Sequence, residues 1–219
     1  MGKGIVMGIE NELGMTMKQY IGKLQRRVVE HTSYFGVPTM RGPLDSWVYQ
    51  EIITSTKPDV LVELGTYCGG LALYCAHLFD ALGHGRVIAL DINLAPARQH
   101  DKKHPRITFL EGDGTKIFPK VRELIKPEER VMVIEDAGHF AWDTHKLLQL
   151  YSPLVKKGDY YIVEDTLVRH GLDEGPGPGE GPWEGVEMFL KESKDFVSDR
   201  SREDFILTWN PIGFLKRIS

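Results

Sequence analysis

The sequence predicts an α/β fold with a mainly parallel sheet, because short apolar strands alternate with helices along most of the chain. The predicted strands are continuously apolar, which is typical of parallel strands that are buried on both faces. Acidic residues follow several of them, at the edge where open α/β sheets bind ligands. The 219 residues, 42% of them hydrophobic, are enough for one well-packed domain.

The elements follow in order along this single domain, residues 1–219. An N-terminal segment, 1–57, carries apolar residues at helical spacing and is predicted to form helices at 16–31 and 44–55. The core, 58–166, is predicted to bind the cofactor. Its predicted strands are 59–64, 86–90, 107–110, 131–134 and 160–163, and its predicted helices are 69–82, 96–100, 116–126 and 144–154.

The chain then changes character at a tract rich in glycine, proline and acidic residues. Such a tract packs as neither regular element, so 167–183 is predicted to be a mobile lid loop over the site. The remainder, 184–219, is predicted to hold the rest of a helix over 183–196 and an antiparallel edge hairpin with strands 205–209 and 213–217.

Composition excludes several classes of function. The net charge is −4, and Lys and Arg are scattered, so no nucleic-acid surface is predicted. No apolar run reaches the roughly 18 residues of a membrane span, and the N-terminus lacks a leader pattern, so we expect a cytoplasmic protein. Cys68 and Cys75 are expected to be packing thiols. A small-molecule partner is predicted, and apolar faces on the N-terminal helices favour a homo-oligomer.

The turn after the first core strand, residues 65–70, is rich in glycine and indicates a cofactor. A dinucleotide fingerprint needs a glycine where Tyr67 stands, which disfavours an NAD-dependent oxidoreductase. Asp91 ends the next strand, where it can accept hydrogen bonds from a ribose, and Asp113 follows the third, beside an expected adenine. A ribose and adenine without pyrophosphate predict S-adenosylmethionine (SAM). The predicted cofactor residues are Glu63, Gly65, Thr66, Tyr67, Gly69, Asp91 and Asp113.

Two acidic segments end the later strands: Asp136 follows the fourth, and Glu164 and Asp165 follow the fifth. Three carboxylates at one edge repel each other unless a cation holds them, and oxygen ligands favour a hard cation such as Mg²⁺ over zinc. The alternatives are a helix cap for Asp136 and a solvated loop for the acidic pair. Glu135 points to the opposite face and is expected to be structural or solvated.

Further motifs at 43–53, 62–70, 164–166, 181–184 and 210–213 together resemble those of the cephalosporin hydroxylase / rhamnosyl O-methyltransferase family. The resemblance spans about 36–217. It implies a Rossmann-like class I methyltransferase fold, with a mainly parallel seven-stranded sheet, an antiparallel C-terminal edge strand and extra N-terminal helices. It also implies that Asp136, Glu164 and Asp165 hold Mg²⁺ and that His139 is the general base. Ala137 stands where relatives usually carry serine, which alters hydrogen bonding around the ligands.

The implied activity is SAM- and Mg²⁺-dependent O-methylation of a hydroxylated small molecule, a sugar or another natural product. An alcohol must lose its proton to attack a methyl sulfonium, which is the role expected of His139, although an ordinary surface or capping histidine is the alternative. A catechol-type methyltransferase and a non-catalytic cofactor-binding accessory protein are the alternative functions. Asp45, Tyr49, Gln50 and Trp183 are candidate substrate contacts, which packing, capping or anchoring explains nearly as well.

Overall fold

A computed structural model describes residues 13–100, 103–170 and 180–219. The strands are β1 (Ser33–Tyr34), β2 (Val37–Pro38), β3 (Val60–Leu64), β4 (Arg86–Asp91), β5 (Ile107–Glu111), β6 (Val131–Glu135), β7 (Tyr160–Val163), β8 (Phe196–Ser198) and β9 (Phe214–Arg217). The helices are α1 (Met17–His31), α2 (Pro43–Thr56), α3 (Gly70–Leu82), α4 (Ala95–His100), α5 (Gly114–Glu123), α6 (Ala141–Tyr151) and α7 (Pro182–Glu192).

The centre of the fold is a seven-stranded sheet in the order β5-β4-β3-β6-β7-β9-β8. Strands β3 to β7 are parallel, whereas β9 runs antiparallel to both β7 and β8. The strand order reverses beside β3, so the carboxyl ends of β3, β4 and β6 surround the crevice where doubly wound sheets bind ligands. The predicted fold class, including the antiparallel C-terminal edge, is confirmed.

Helices cover both faces of this sheet, which explains the continuously apolar strands. In β3, Val60 and Val62 pack in a cluster with residues of α5, α6 and α7, whereas Leu61 packs on the other face with residues of α2 and α3. The edge strand β5 departs from the prediction, because Thr108 and Phe109 are exposed. An edge strand has one neighbour only and is less completely covered.

The predicted C-terminal hairpin is wrong in its first strand. Helix α7 ends at Glu192, and the edge strand is β8 rather than 205–209, which is irregular. That stretch is diverted by Asp45 of α2, whose carboxylate accepts hydrogen bonds from the Thr208 hydroxyl (2.5 Å) and the Trp209 main-chain N–H (3.0 Å). A main-chain group engaged by a distant side chain is not available for a strand ladder.

The N-terminal segment contains an unpredicted hairpin between α1 and α2. Its strands β1 and β2 are joined by Phe35 and Gly36, both with left-handed backbone (φ +50° and +81°), which is the geometry of a two-residue hairpin turn. Across the described part of the chain, every helix is too short or too polar to cross a membrane. Of the predicted lid loop, 167–170 forms turns and α7 begins at Pro182, whereas 171–179 lies outside the described residues.

We predict that Asp45→Ala lowers the free energy of unfolding by about 1–3 kcal/mol, because it leaves buried donors of Thr208 and Trp209 without an acceptor. Urea denaturation measures the loss. Asp204→Ala, at an exposed position of the same loop, is the control and is expected to change stability by less than about 0.5 kcal/mol. Equal stability of the two variants would contradict an anchoring role for Asp45.

Candidate functional site

Two cavities lie along the carboxyl ends of the central strands. The first, about 370 Å³, is lined by residues that follow β3, β4, β5 and β6, among them Gly65, Asp91, Asp113 and Asp136. The second, about 360 Å³, extends toward α1 and the segment before α2 and is lined by Val28, Arg41, His139 and Asp165, among others. Gly65, Asp91 and Asp136 line both, so the two cavities adjoin at these residues.

Gly65 allows the turns after β3 and β6 to approach each other. Its φ is +90°, and a Cβ atom added there would lie 2.1 Å from the main-chain oxygen of Asp136. The two strands are paired in parallel up to this point, where the Asp136 N–H donates to Leu64 O at 2.8 Å. A side chain at position 65 would therefore force the two turns apart.

Asp91 holds the glycine turn in place. Its carboxylate accepts hydrogen bonds from the main-chain N–H groups of Tyr67 (2.8 Å) and Asn93 (3.0 Å), one on each oxygen. Since a carboxylate offers roughly four acceptor positions, about half of its capacity remains free. Asp91 can therefore accept further hydrogen bonds from a ligand in the first cavity.

Asp113 and Glu63 have local structural partners. Asp113 caps α5 by accepting from the main chain and hydroxyl of Thr115, and these hydrogen bonds lower its pKa. Glu63 is fully buried and accepts from the Thr66 hydroxyl at 2.7 Å, and burial raises its pKa to about 7.

Of the predicted cofactor residues, Gly65, Asp91 and Asp113 reach the first cavity. Glu63, Thr66 and Tyr67 line the second, and Gly69 lines a separate cavity behind the turn.

The carboxylates at the ends of β6 and β7 form an acidic cluster. Ligand atoms of Asp136, His139 and Asp165 lie within 4.8 Å of one another, close enough to hold one metal ion. The Nε2 atom of His139 lies 3.7 Å from Asp136 Oδ1 and 3.8 Å from Asp165 Oδ2. Asp136 Oδ1 and His139 Nδ1 are buried atoms without a hydrogen-bond partner. The predicted convergence of Asp136, Asp165 and His139 is therefore observed.

Glu164 faces the other side of this cluster. Its Oε1 accepts from the hydroxyl of Tyr49 at 2.9 Å, and its Oε2 is paired with the guanidinium of Arg41. Burial and the neighbouring acidic groups raise the pKa of Glu164 well above its usual value. Burial, followed by the charge of Asp136, raises the pKa of Asp165 to about 7.

Arg41 lies in the site but was missed by the sequence predictions. It lies between β2 and α2 with only 8% of its side chain exposed, and its Nη1 donates to Asp136 Oδ2 at 2.5 Å. Its Nη2 is 3.9 Å from Glu63. The acidic residues at the strand ends predicted a positive charge nearby. The sequence around position 41 contains no pattern that indicates an arginine paired with these distant carboxylates.

Glu135 is fully buried, so the solvated reading of this residue is wrong and the structural one holds. It accepts from the Ala137 N–H at 3.2 Å, and burial raises its pKa to about 8.

Three residues of the site have left-handed backbone although they are not glycine: Tyr67 (φ +48°), His139 (φ +50°) and Asp165 (φ +54°). Such conformations persist only where the surrounding structure enforces them, and they cluster at functional sites. They aim these side chains from three different turns at the second cavity, which all three residues line.

The four candidate substrate residues have the following positions. Asp45 and Tyr49 are buried and hydrogen-bonded within the protein, and Gln50 is half-buried on α2. Trp183 stacks on His170, with ring centroids 4.0 Å apart, and packs against the core. The contact of these four residues with an acceptor stays a prediction.

The chain is similar to known methyltransferases. Residues 26–218 match the family model described as rhamnosyl O-methyltransferase/CmcI. The rhamnosyl O-methyltransferase of Mycobacterium tuberculosis (strain ATCC 25618 / H37Rv) is 31% identical over 208 residues, which cover 91% of this chain and 82% of the relative. That of Mycobacterium leprae (strain TN) is 31% identical over 197 residues, covering 85% and 83%.

Solved structures share the fold. CmcI with Mg and SAM superposes with a TM-score of 0.64 at 22% identity, covering 86% of this chain and 77% of that one. The O-methyltransferase TomG from Streptomyces achromogenes, in complex with SAM, has a TM-score of 0.56 at 14% identity, covering 86% and 85%.

We predict that Gly65→Ala destabilises the protein more than Gly83→Ala. Both positions have left-handed backbone, which costs about 1–2 kcal/mol with a side chain, but only the Cβ atom at position 65 meets the main chain of Asp136. The clash adds about 1–3 kcal/mol, measurable as a lower denaturation midpoint. Equal losses in the two variants would show that the two turns are not in close contact.

Proposed function

This chain belongs to the rhamnosyl O-methyltransferase/CmcI family and is a SAM-dependent O-methyltransferase, and from this premise we propose that it methylates a hydroxyl of a sugar or another small natural product with the help of Mg²⁺. The observation that carries the proposal is the meeting of the two cavities at Gly65, Asp91 and Asp136. One cavity suits the methyl donor and the other suits the acceptor, so the two reactants can meet at this boundary.

The first cavity fits SAM in volume and in chemistry. Its volume of about 370 Å³ lies within the range of small-molecule sites. Asp91 retains acceptor capacity for ribose hydroxyls. Asp113, Gly114 and Thr115 line the same cavity, and we propose that the adenine lies beside them. Tyr67 occupies the position that a pyrophosphate would need free, which supports SAM over a dinucleotide.

The acidic cluster fits a hard divalent cation. Asp136 Oδ1 is buried without a partner, and carboxylate oxygens are the ligands that Mg²⁺ prefers. We propose that Asp136 and Asp165 hold it, and that Glu164 joins them. When bound, Mg²⁺ supplies Lewis acidity to an oxygen of the acceptor.

His139 is proposed to accept the proton of the attacking hydroxyl. Its Nε2 lies 3.7 Å from Asp136 Oδ1 and 3.8 Å from Asp165 Oδ2, and the residue lines the second cavity, where the acceptor is proposed to bind. General bases of this kind contribute about 10²- to 10⁴-fold to the rate.

The second cavity supports an acceptor that is polar at one end and apolar at the other. Asp136, His139 and Asp165 form its polar end, whereas the apolar side chains of Val28, Val29, Met40, Val168 and Trp209 line the rest. A glycosylated natural product has this character. A catechol remains the alternative acceptor. An aromatic clamp in the lid loop would favour it, but Trp183, the aromatic residue that the predicted lid loop offers, is stacked on His170.

Two further proposals concern the protein as a whole. Met17 and Tyr20 on α1 are exposed, which supports self-association through this helix. The second proposal is a cytoplasmic location, which is in keeping with Cys68 and Cys75 being buried and free of disulfides.

We predict that Asp91→Ala weakens SAM binding at least tenfold, because it removes a charged acceptor whose hydrogen bonds contribute about 1.5–3 kcal/mol each. Isothermal titration calorimetry measures the affinity. Glu111→Gln, at the exposed end of the neighbouring strand β5, is the control and should bind SAM as the unmodified protein does. Unchanged SAM binding by Asp91→Ala, or tight NAD binding by either protein, would contradict the cofactor site.

The function itself is tested by a screen of glycosylated and catechol acceptors with methyl-labelled SAM. We expect labelled product from a glycosylated acceptor with Mg²⁺, and its loss when EDTA removes the metal. His139→Ala is expected to slow turnover by about 10²- to 10⁴-fold at neutral pH while SAM affinity is kept. The control is His84→Ala, which lies just before β4, at the amino ends of the strands. Product from catechols alone would reassign the acceptor, and an unchanged rate in His139→Ala would remove the base.

A further inference from the structure

A buried arginine lies among the carboxylates that are proposed to hold a metal ion. The guanidinium of Arg41 contacts Asp136 Oδ2 at 2.5 Å and Glu164 Oε2, and it lies 3.9 Å from Glu63. A guanidinium remains protonated in proteins, so Arg41 brings a permanent positive charge into this acidic site.

The positive charge of Arg41 and the carboxylates around it are buried together. Only 8% of the Arg41 side chain and 3% of Glu164 are exposed, and Glu63 is completely buried. Buried carboxylates that lose their partner cation are strongly disfavoured, because water cannot replace the lost interaction. A positive charge at this place therefore keeps the acidic groups together.

Arg41 divides the cluster into two parts. One part, Asp136 Oδ2 and Glu164 Oε2, is paired with the single positive charge of the guanidinium. The other part, Asp136 Oδ1 with Asp165 and His139, faces the second cavity, and Asp136 Oδ1 has no hydrogen-bond partner. Glu164 has both carboxylate oxygens engaged, since Tyr49 donates to Oε1. For Glu164 to become a metal ligand, its contact with Arg41 must be given up.

We propose that Arg41 is an internal counter-ion that holds the acidic cluster together without metal and competes with Mg²⁺ for Asp136 and Glu164. The proposal rests on the proposed function, because it takes these carboxylates as the metal ligands. Arg41 is thus a positioning residue. It keeps the ligands assembled before the metal arrives, and it weakens metal binding through repulsion between like charges.

The test compares Arg41→Met and Arg41→Lys with Arg106→Met, in which an arginine paired with Asp80 is removed at the opposite edge of the sheet. Two quantities are measured: the Mg²⁺ dissociation constant by calorimetry, and the unfolding temperature in EDTA and in Mg²⁺. In the unmodified protein and in Arg106→Met, Mg²⁺ should raise the unfolding temperature above that in EDTA by less than it does in Arg41→Met.

Arg41→Met should bind Mg²⁺ at least tenfold more tightly, because a repelling unit charge a few ångströms from the metal is gone. It should also unfold at a lower temperature in EDTA and recover in Mg²⁺. Arg41→Lys keeps the charge but lacks the two-pronged donor geometry, so its affinity should fall between the two. If Arg41→Met does not fold in either condition, Arg41→Lys decides alone by binding Mg²⁺ more tightly than the unmodified protein.

The metal site is supported if the unmodified protein binds Mg²⁺ and Asp165→Asn removes this binding. If the Arg41 variants then bind Mg²⁺ no more tightly than the unmodified protein, the counter-ion role is overturned and the proposed metal site stays intact. No Mg²⁺ binding by any of these proteins, with SAM binding kept, would instead overturn the metal part of the proposed function and the counter-ion role together.

Discussion

A buried hydrogen-bond network joins α2, the end of β7 and the C-terminal loop, and the acidic edge of the sheet depends on it. The Tyr49 hydroxyl donates to Glu164 and accepts from the amide of Asn210 at 2.6 Å, while the amide oxygen of Asn210 accepts from the Asp165 N–H at 2.9 Å. One tyrosine therefore orients Glu164 directly and Asp165 through Asn210. Buried polar groups are costly without partners, so such a network admits few alternative arrangements.

This network and Arg41 together explain how an acidic site assembles inside a folded protein. Burial raises the pKa of both Asp165 and Glu63 to about 7, which reflects how poorly the interior tolerates their negative charge. The guanidinium offsets part of that charge, and the left-handed turns at His139 and Asp165 hold both side chains toward the cavity. The folded protein thus orients these acidic groups and His139 before substrate binds, which is the basis of preorganised catalysis.

Local pattern predicted the central elements well and the edges poorly. The five parallel strands begin and end within one residue of their predicted limits. Burial on both faces makes β3, β4, β6 and β7 mainly apolar runs, whereas the edge strand β5 is partly exposed. The stretch 205–209 has the sequence pattern of a strand, yet Ile206 is 80% exposed, because the hydrogen bonds that Thr208 and Trp209 donate to Asp45 decide the course of the chain there. The β1–β2 hairpin escaped prediction although Gly36 is a recognisable turn residue, because its strands are only two residues long.

By itself, the sequence determined the fold class, the methyltransferase family, the glycine turn after β3 and the acidic residues at the strand ends. These features are carried by neighbouring residues, whose spacing reflects the periodicity of a strand or the length of a turn. Only the tertiary structure decided that Arg41 faces Asp136 and that Tyr49 binds Glu164, pairs separated by 95 and 115 positions. No local pattern encodes such pairs, because they form only when the packed sheet and helices bring distant segments together.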